Sequence, residues 1–205
     1  MTSLFEGPAG STPLEPEDQE GLVPTWIATR ADLNAAEQAN VARATTWVFG
    51  RPWRIDSFSQ TWLMNLHRRM FRDVWRWAGT YRRRDTNIGV PWPQISTSVE
   101  MLLGDLLAQT DDPETRPWTA DEVGIRFHHR LVSIHPFVNG NGRHARLAAD
   151  VLVVALGQER YPWGGGSDLA ESGAVRDEYL SALRTADRTG DYVPLLRFGR
   201  SVHRT

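Results

Sequence analysis

"TADEVGIRFHHRLVSIHPFVNGNGRHARLAADVLVVALG", residues 119–157, reads as two helices joined by a loop. Thr119 followed three residues later by Glu122 is an S/T-x-x-E capping box, in which side chains satisfy two free amides at a helix start. Val123, Phe127 and Leu131 then recur every four residues, one face of a helix that carries the chain to Ile134. A loop over 135–142 follows. From Arg143 the pattern is helical again through Leu147, Val151 and Val154, and it stops at Gly157.

Working outward, the same signals recur. Upstream, Thr29 caps a helix with Asp32 in its first turn, Leu33, Ala36, Val41, Ala44 and Trp47 on one face, and Gly50 and Pro52 at its end. Asp56 or Ser57 starts the next helix, whose Trp62, Leu63, Leu66, Met70, Val74 and Trp77 keep helical spacing up to Gly79. In "YRRRDTNIGVPWPQI", 81–95, Gly89, Pro91 and Pro93 forbid a helix and predict a short β-hairpin or extended flap. A second capping box, Thr97 to Glu100, opens a helix to about Gln109. Downstream, 169–187 makes a helix despite Gly173, and Asp191 caps a last one carrying Val193, Leu195, Leu196 and Phe198.

The sum is six to eight helices and one hairpin, an all-α bundle with a short β-hairpin flap. Residues 1–28, with Pro8, Pro13, Pro16 and Pro24 among glycines and acids, read as an extended N-terminal arm. Residues 29–205 form the domain proper. A length of 205 residues suits one core. The absence of cysteine excludes disulfide, thiolate-metal and thiol chemistry. No leader-like stretch opens the chain, and its longest apolar run, "VLVVAL" at 151–156, is too short to span a bilayer, so a cytoplasmic location and no membrane partner are expected. A net charge of −2 and the lack of a recognition-helix signature argue against nucleic acid as a partner.

The loop carries the chemistry. Gly140, Asn141 and Gly142 stand where consecutive amides at a helix N-terminus make an anion-binding concavity. Arg143 and Arg146 are three apart on the following helix, so both guanidinium groups project beside that cradle, and two planar forks suit a di- or triphosphate. His135, five residues before the first glycine, is placed to take a proton from a hydroxyl attacking a cradled phosphate. Taken singly, His135 reads as a hydrogen-bonded structural histidine and GNG as an ordinary turn; both arginines beside them shift the reading toward a site. Adjacent His128 and His129 point apart on their helix and read as core or surface hydrogen-bonding groups rather than a metal site.

"HPFVNGNGRHAR", 135–146, resembles the signature of the Fic family, H-x-F-x-(D/E)-G-N-G-R-x-x-R, at seven of its eight specified positions. "FRDVWRWAGTYR" at 71–82 and "YLSALRTADRTGDYVPLLRF" at 179–198 are similar to the family's helix before the flap and its C-terminal helices, so the resemblance spans about 60–200. Within the family the pattern is most similar to the group called mobile mystery protein B. The resemblance implies an all-α Fic core that transfers AMP from ATP to a hydroxyl of a target protein, with Mg²⁺ or Mn²⁺. It implies that His135 is the base, Phe137 the anchor of the loop, and the amides of Gly140, Asn141 and Gly142 the phosphate cradle, with Arg143 on the β-phosphate and Arg146 on the γ-phosphate.

Asn139 departs from the signature, standing where the family has an acidic Mg²⁺ ligand. An amide oxygen ligates Mg²⁺ without charge, so weaker metal binding is expected. Three outcomes stay open: a slow adenylyltransferase, a transferase with another donor, or a nucleotide-binding interaction protein without turnover. The resemblance further implies that the flap, centred on Asn87, Ile88, Gly89 and Val90, aligns a stretch of the target by strand addition. The other reading of Arg82 to Arg84 is a solvated basic surface. Relatives carry an inhibitory helix, (S/T)-x-x-x-E-(G/N), whose glutamate pairs with the second motif arginine; Glu37 and Glu20 are its partial matches, and Glu37, on a helix, is the preferred one. The subgroup resemblance also implies a helix-turn-helix companion protein.

Overall fold

The computed structural model describes residues 12–112, 114, 117–165, 169 and 173–202. Within them lie eight α-helices: α1 (Pro16–Gln19), α2 (Arg30–Phe49), α3 (Gln60–Phe71), α4 (Ile95–Thr110), α5 (Ala120–Ile134), α6 (Asn141–Ala155), α7 (Ala174–Thr189) and α8 (Val193–Arg200). The fold is therefore mainly helical, as the spacing predicts.

A helix buried on every side belongs at the centre, and α6 is that helix: all of 147–153 is buried, Asp150 included. Helix α5 packs along it, with α3 and α2 completing the surround, while α4 and α8 cover α5. Fully burying a leucine such as Leu152 on α6 or Leu66 on α3 stabilises the fold by roughly 1.5–3 kcal/mol. Asp150 accepts hydrogen bonds from Trp163 Nε1 (2.9 Å) and the Tyr161 amide (3.2 Å), which ties the chain after α6 back onto it. Burial pushes its carboxyl pKa up to about 6.

The caps of α2 and α5 fall where the sequence places them, whereas α3 starts at Gln60, with Ser59 Oγ accepting from the Trp62 amide, and not at Asp56 or Ser57, which lie in a separate 3₁₀ turn. Thr29 Oγ1 accepts from the Asp32 amide while Asp32 accepts from the Thr29 amide, and Thr119 with Glu122 makes the same reciprocal box at α5. Three further expectations are corrected. Helix α3 stops at Phe71, not Gly79, because 72–80 turns back to pair with the N-terminal arm at Leu22↔Trp75, and the Gly79 amide bonds His67 Nδ1. The Thr97–Glu100 box goes unused: Pro91 and Pro93 preset a 3₁₀ turn at Trp92–Gln94 that runs straight into α4 at Ile95. The buried face of α2 is Leu33, Glu37, Asn40, Ala44 and Val48, with Ala36, Val41 and Trp47 only half-buried. Two polar residues thus occupy core positions of that helix.

The flap forms no hairpin ladder among the described residues. Strand pairing there is limited to the bridges Leu22↔Trp75 and Tyr81↔Phe137. The flap's amides and carbonyls are satisfied elsewhere: the Arg82 amide donates to Pro136 O (2.9 Å), the Val90 amide to Ile134 O (3.3 Å) and the Trp92 amide to Asp85 Oδ1 (2.8 Å). Of the N-terminal arm, 12–28 is described; it carries α1 and buries Thr12, Leu14, Asp18 and Ile27 against the domain. Residues 1–11, also assigned to the arm, lie outside the described residues.

Candidate active site

Helix α5 ends because Pro136 disfavours helical backbone in the residue before it, and His135 takes up the left-handed conformation (φ 54°, ψ 58°). Histidine is among the few side chains that visit this region, at a cost of about 1–3 kcal/mol that the surroundings must offset. They do so closely. The His135 carbonyl accepts from Arg82 Nε (2.7 Å), and the backbone of Gly89 (φ 111°) lies so near that an added Cβ there would stand 2.8 Å from His135 Cβ.

The imidazole itself is buried. Its Nδ1 faces the Val132 carbonyl (3.3 Å), which can only accept, so Nδ1 carries the proton and Nε2 presents its lone pair. Thr12 Oγ1 donates to that Nε2 at 2.8 Å. Burial, with a smaller contribution from the Arg82 charge, pulls the pKa down to about 4, against the bond to Val132; the ring is neutral near pH 7.

Residues outside the motif hold the loop. Phe137 is fully buried and stacks on the His67 ring at 3.7 Å with 15° between planes, its edge toward His144. Because His67 Nδ1 accepts from the Gly79 amide, its Nε2–H donates to the Asn139 carbonyl (3.0 Å). Asn141 clamps Phe137 with both amide atoms, accepting from its N–H (2.9 Å) and donating to its C=O (2.8 Å). Arg82 is buried, not part of a solvated surface. Besides His135 it donates to the carbonyls of Arg84 (2.8 Å) and Val90 (2.5 Å), so it fastens the flap to the loop. Motif spacing singles out neither His67 nor Arg82 for these tasks; their acceptors are backbone carbonyls remote in sequence.

Gly140 opens α6 with φ 77°, and an added Cβ would fall 2.5 Å from the Phe71 ring, so only glycine fits. It lacks a side-chain cap, and the first amides of α6 have no intrahelical acceptor, which leaves an anion-ready helix terminus. The two arginines flank it but face different helices. Arg143 lies 4.8 Å over the Phe71 ring and pairs with Glu37 Oε2 at 2.7 Å; Arg146 lies 5.5 Å from the Tyr179 ring of α7. Glu37 is buried, and its Oε1 accepts from Trp75 Nε1 at 2.6 Å. The resemblance implied a partner in the second motif arginine, but α2 brings Glu37 to the first. Glu20 is exposed, with its carbonyl on Arg76.

Asn139 Oδ1 accepts from the Gly140 amide at 2.6 Å, so its one neutral oxygen already has a partner. No group of three His, Asp or Glu side chains among the described residues is arranged to hold a metal ion. His128 and His129 diverge, to the Tyr179 hydroxyl (3.1 Å) and to Asp187 (2.8 Å). In the flap, Ile88 is exposed and its carbonyl accepts from Thr86 Oγ1, while Asn87 precedes it at the tip.

A profile described as the Fic/DOC family matches residues 57–153. A Fido domain-containing protein of Dictyostelium discoideum is 31% identical over 113 residues, which cover 54% of this chain and 72% of that protein. Protein adenylyltransferase fic-1 of Caenorhabditis briggsae is 29% identical over 121 residues, 59% of this chain and 22% of that protein; the chain thus spans under a quarter of that relative. The crystal structure of BepC, a VirB-translocated effector of Bartonella tribocorum with bound AMPPNP, superposes with a TM-score of 0.62 at 17% identity, covering 91% of this chain and 97% of that one.

Proposed function

The chain belongs to the Fic/DOC family, and from that premise we propose that it is a protein adenylyltransferase, moving AMP from ATP to a hydroxyl of a target protein. The observation that carries this reading is the pair of contacts at His135: Nδ1 lies 3.3 Å from the Val132 carbonyl, which assigns the proton to Nδ1, and Nε2 faces a hydroxyl at 2.8 Å. In the proposed step a target hydroxyl oxygen attacks the α-phosphorus and its proton passes to Nε2. The bond to the β-phosphate breaks and pyrophosphate leaves. The amides of Asn141 and Gly142 hold the phosphates, joined by that of Gly140 when it exchanges its bond to Asn139 Oδ1 for a phosphate oxygen, with Arg143 on the β- and Arg146 on the γ-phosphate. Mg²⁺ or Mn²⁺ enters as the counter-ion of ATP. The flap over Asn87, Ile88, Gly89 and Val90 aligns the target. Relatives named protein adenylyltransferases and a fold neighbour holding AMPPNP support the reading.

The Glu37–Arg143 pair gives it a resting state, since Glu37 holds the guanidinium that the β-phosphate needs. Labelled ATP with Mg²⁺, offered to the protein together with a cell lysate, is expected to mark proteins, more strongly with Glu37→Ala and not with His135→Ala. Equal labelling by the His135→Ala protein sinks the reading.

A second reading is favoured by one observation: Asn139 is neutral and spends its oxygen on Gly140. On that reading the chain binds nucleotide with weak, absent or different transfer. Asn139→Asp separates the two, raising AMP transfer if the metal ligand is what limits it.

A further inference from the structure

The hydroxyl that faces His135 belongs to this chain. Thr12 Oγ1 stands 2.8 Å from Nε2, the atom that takes up the acceptor's proton in the step above, and both side chains are buried. The contact is long-range in sequence, so it exists only because the arm is docked. Backbone bonds run from the Val23 amide to Val74 O (2.8 Å) and from the Arg76 amide to Gly21 O (2.8 Å), Trp77 Nε1 donates to Asp18 O (3.1 Å), and Asp18 pairs with Arg84 beside the flap. Leu14, two residues from Thr12, is buried in the core. An arm held at this many points delivers one side chain to one place, and that side chain is a primary candidate for attack because threonine carries a nucleophilic oxygen.

We propose that Thr12 is an acceptor of AMP in cis. This rests on the adenylyltransferase reading. Thr12 Oγ1 attacks the α-phosphorus of ATP and gives its proton to His135 Nε2; the bond from the α-phosphorus to the bridging oxygen of the β-phosphate breaks. The products are a threonine-O-AMP diester and pyrophosphate. Holding nucleophile and base in hydrogen-bond contact makes the step intramolecular, the arrangement that raises effective concentration most.

The full chain is incubated with ATP and Mg²⁺, wild type beside Glu37→Ala, and followed by intact mass and peptide mapping. One AMP on Thr12 is expected in both, faster in Glu37→Ala, with a first-order rate that does not change on dilution. Thr12→Ser retains the modification at position 12, whereas Thr12→Val and His135→Ala lose it with the helical circular dichroism unchanged. AMP that depends on His135 but is found only on other hydroxyls or on lysate proteins overturns the proposal and leaves the adenylyltransferase reading standing, as does a rate at Thr12 that rises with protein concentration for the cis assignment. No AMP on any protein, with Glu37→Ala shown by calorimetry to bind ATP, overturns both.

Discussion

At one end of the motif loop His135 faces a neutral hydroxyl, Thr12, whereas at the other Arg143 faces a buried carboxylate, Glu37. Both ends are filled by the chain itself, but the forces differ. The hydroxyl–imidazole bond joins two uncharged groups, a contact worth a net 0.5–1.5 kcal/mol or so. The carboxylate has been taken out of water, and such a charge holds its place only through the guanidinium and the indole N–H that surround it. On the proposed reading the first is the acceptor end, easily exchanged for another hydroxyl, and the second is the phosphate end, which opens only to a ligand that brings its own negative charge.

The largest expected effect separates the ends by function. Removing the imidazole with His135→Ala should lower AMP transfer by about 10²- to 10⁴-fold while ATP affinity, read by calorimetry, stays near wild type. Arg143→Ala should lower both. If His135→Ala also abolishes ATP binding, the loop does not divide its work between ends.

Acid probes the acceptor end through its imidazole and the core through three others. His128 is pulled down to about 3 and His144 to about 4 by burial, His67 lies well below its ordinary value, and His135 stands at about 4. All four are depressed in the fold, so the unfolded chain binds protons first, and stability present above pH 6.5 is lost as pH falls toward 4. Asp150, raised to about 6, and Asp18, also raised by burial, work in the opposite direction, while His129, lowered by burial too, adds to the four. Denaturant titrations should show a net loss of roughly a few kcal/mol between pH 7 and pH 5, because each tenfold difference in proton affinity between the folded and unfolded chain is worth about 1.4 kcal/mol. A flat profile over that range would contradict neutral, buried histidines.

At the phosphate end Glu37→Gln keeps the shape and removes the charge. ATP should then bind roughly tenfold more tightly, equivalent to about 1.4 kcal/mol, while stability falls by about 1–3 kcal/mol because Arg143 loses its counter-charge. Unchanged ATP affinity would mean that the pair does not compete with phosphate.

These residues were unequally legible in the sequence. The ends of α2 and α5 are local chemistry, Thr29 with Asp32 and Thr119 with Glu122, and short-range signals of this kind survive folding. The loop was legible because its glycine and arginine spacing is local, and the turn at Gly140 that opens α6 follows from it. The face of α2 was not: an apolar-only reading passes over Glu37 and Asn40, although their spacing with Leu33, Ala44 and Val48 is helical. A carboxylate at a core position is the signal that a partner charge must arrive from elsewhere. The end of α3 was overrun because Val74 and Trp77 keep the helical period while packing from turns that the arm pins at Trp75. His67 and Arg82 act on carbonyls 72 and 53 residues away, and no local pattern encodes that.

The smallest effect concerns the least legible contact. Thr12→Val removes the hydroxyl and keeps the branched shape, so the arm's pairing at 74–76 and the Asp18–Arg84 pair stay intact. What is lost is one neutral bond, and His135 Nε2 becomes a buried acceptor without a donor. The cost should be about 1 kcal/mol, a fall of roughly 2–4 °C in Tm for a chain of this size, with ATP affinity unchanged. A much larger fall would mean that the hydroxyl anchors the arm as firmly as Glu37 anchors Arg143, and the contrast between an exchangeable acceptor end and a charge-locked phosphate end would collapse. Amide exchange along 20–23 distinguishes the cases, since those amides keep their protection if the arm is held by its backbone and lose it if Thr12 was the latch.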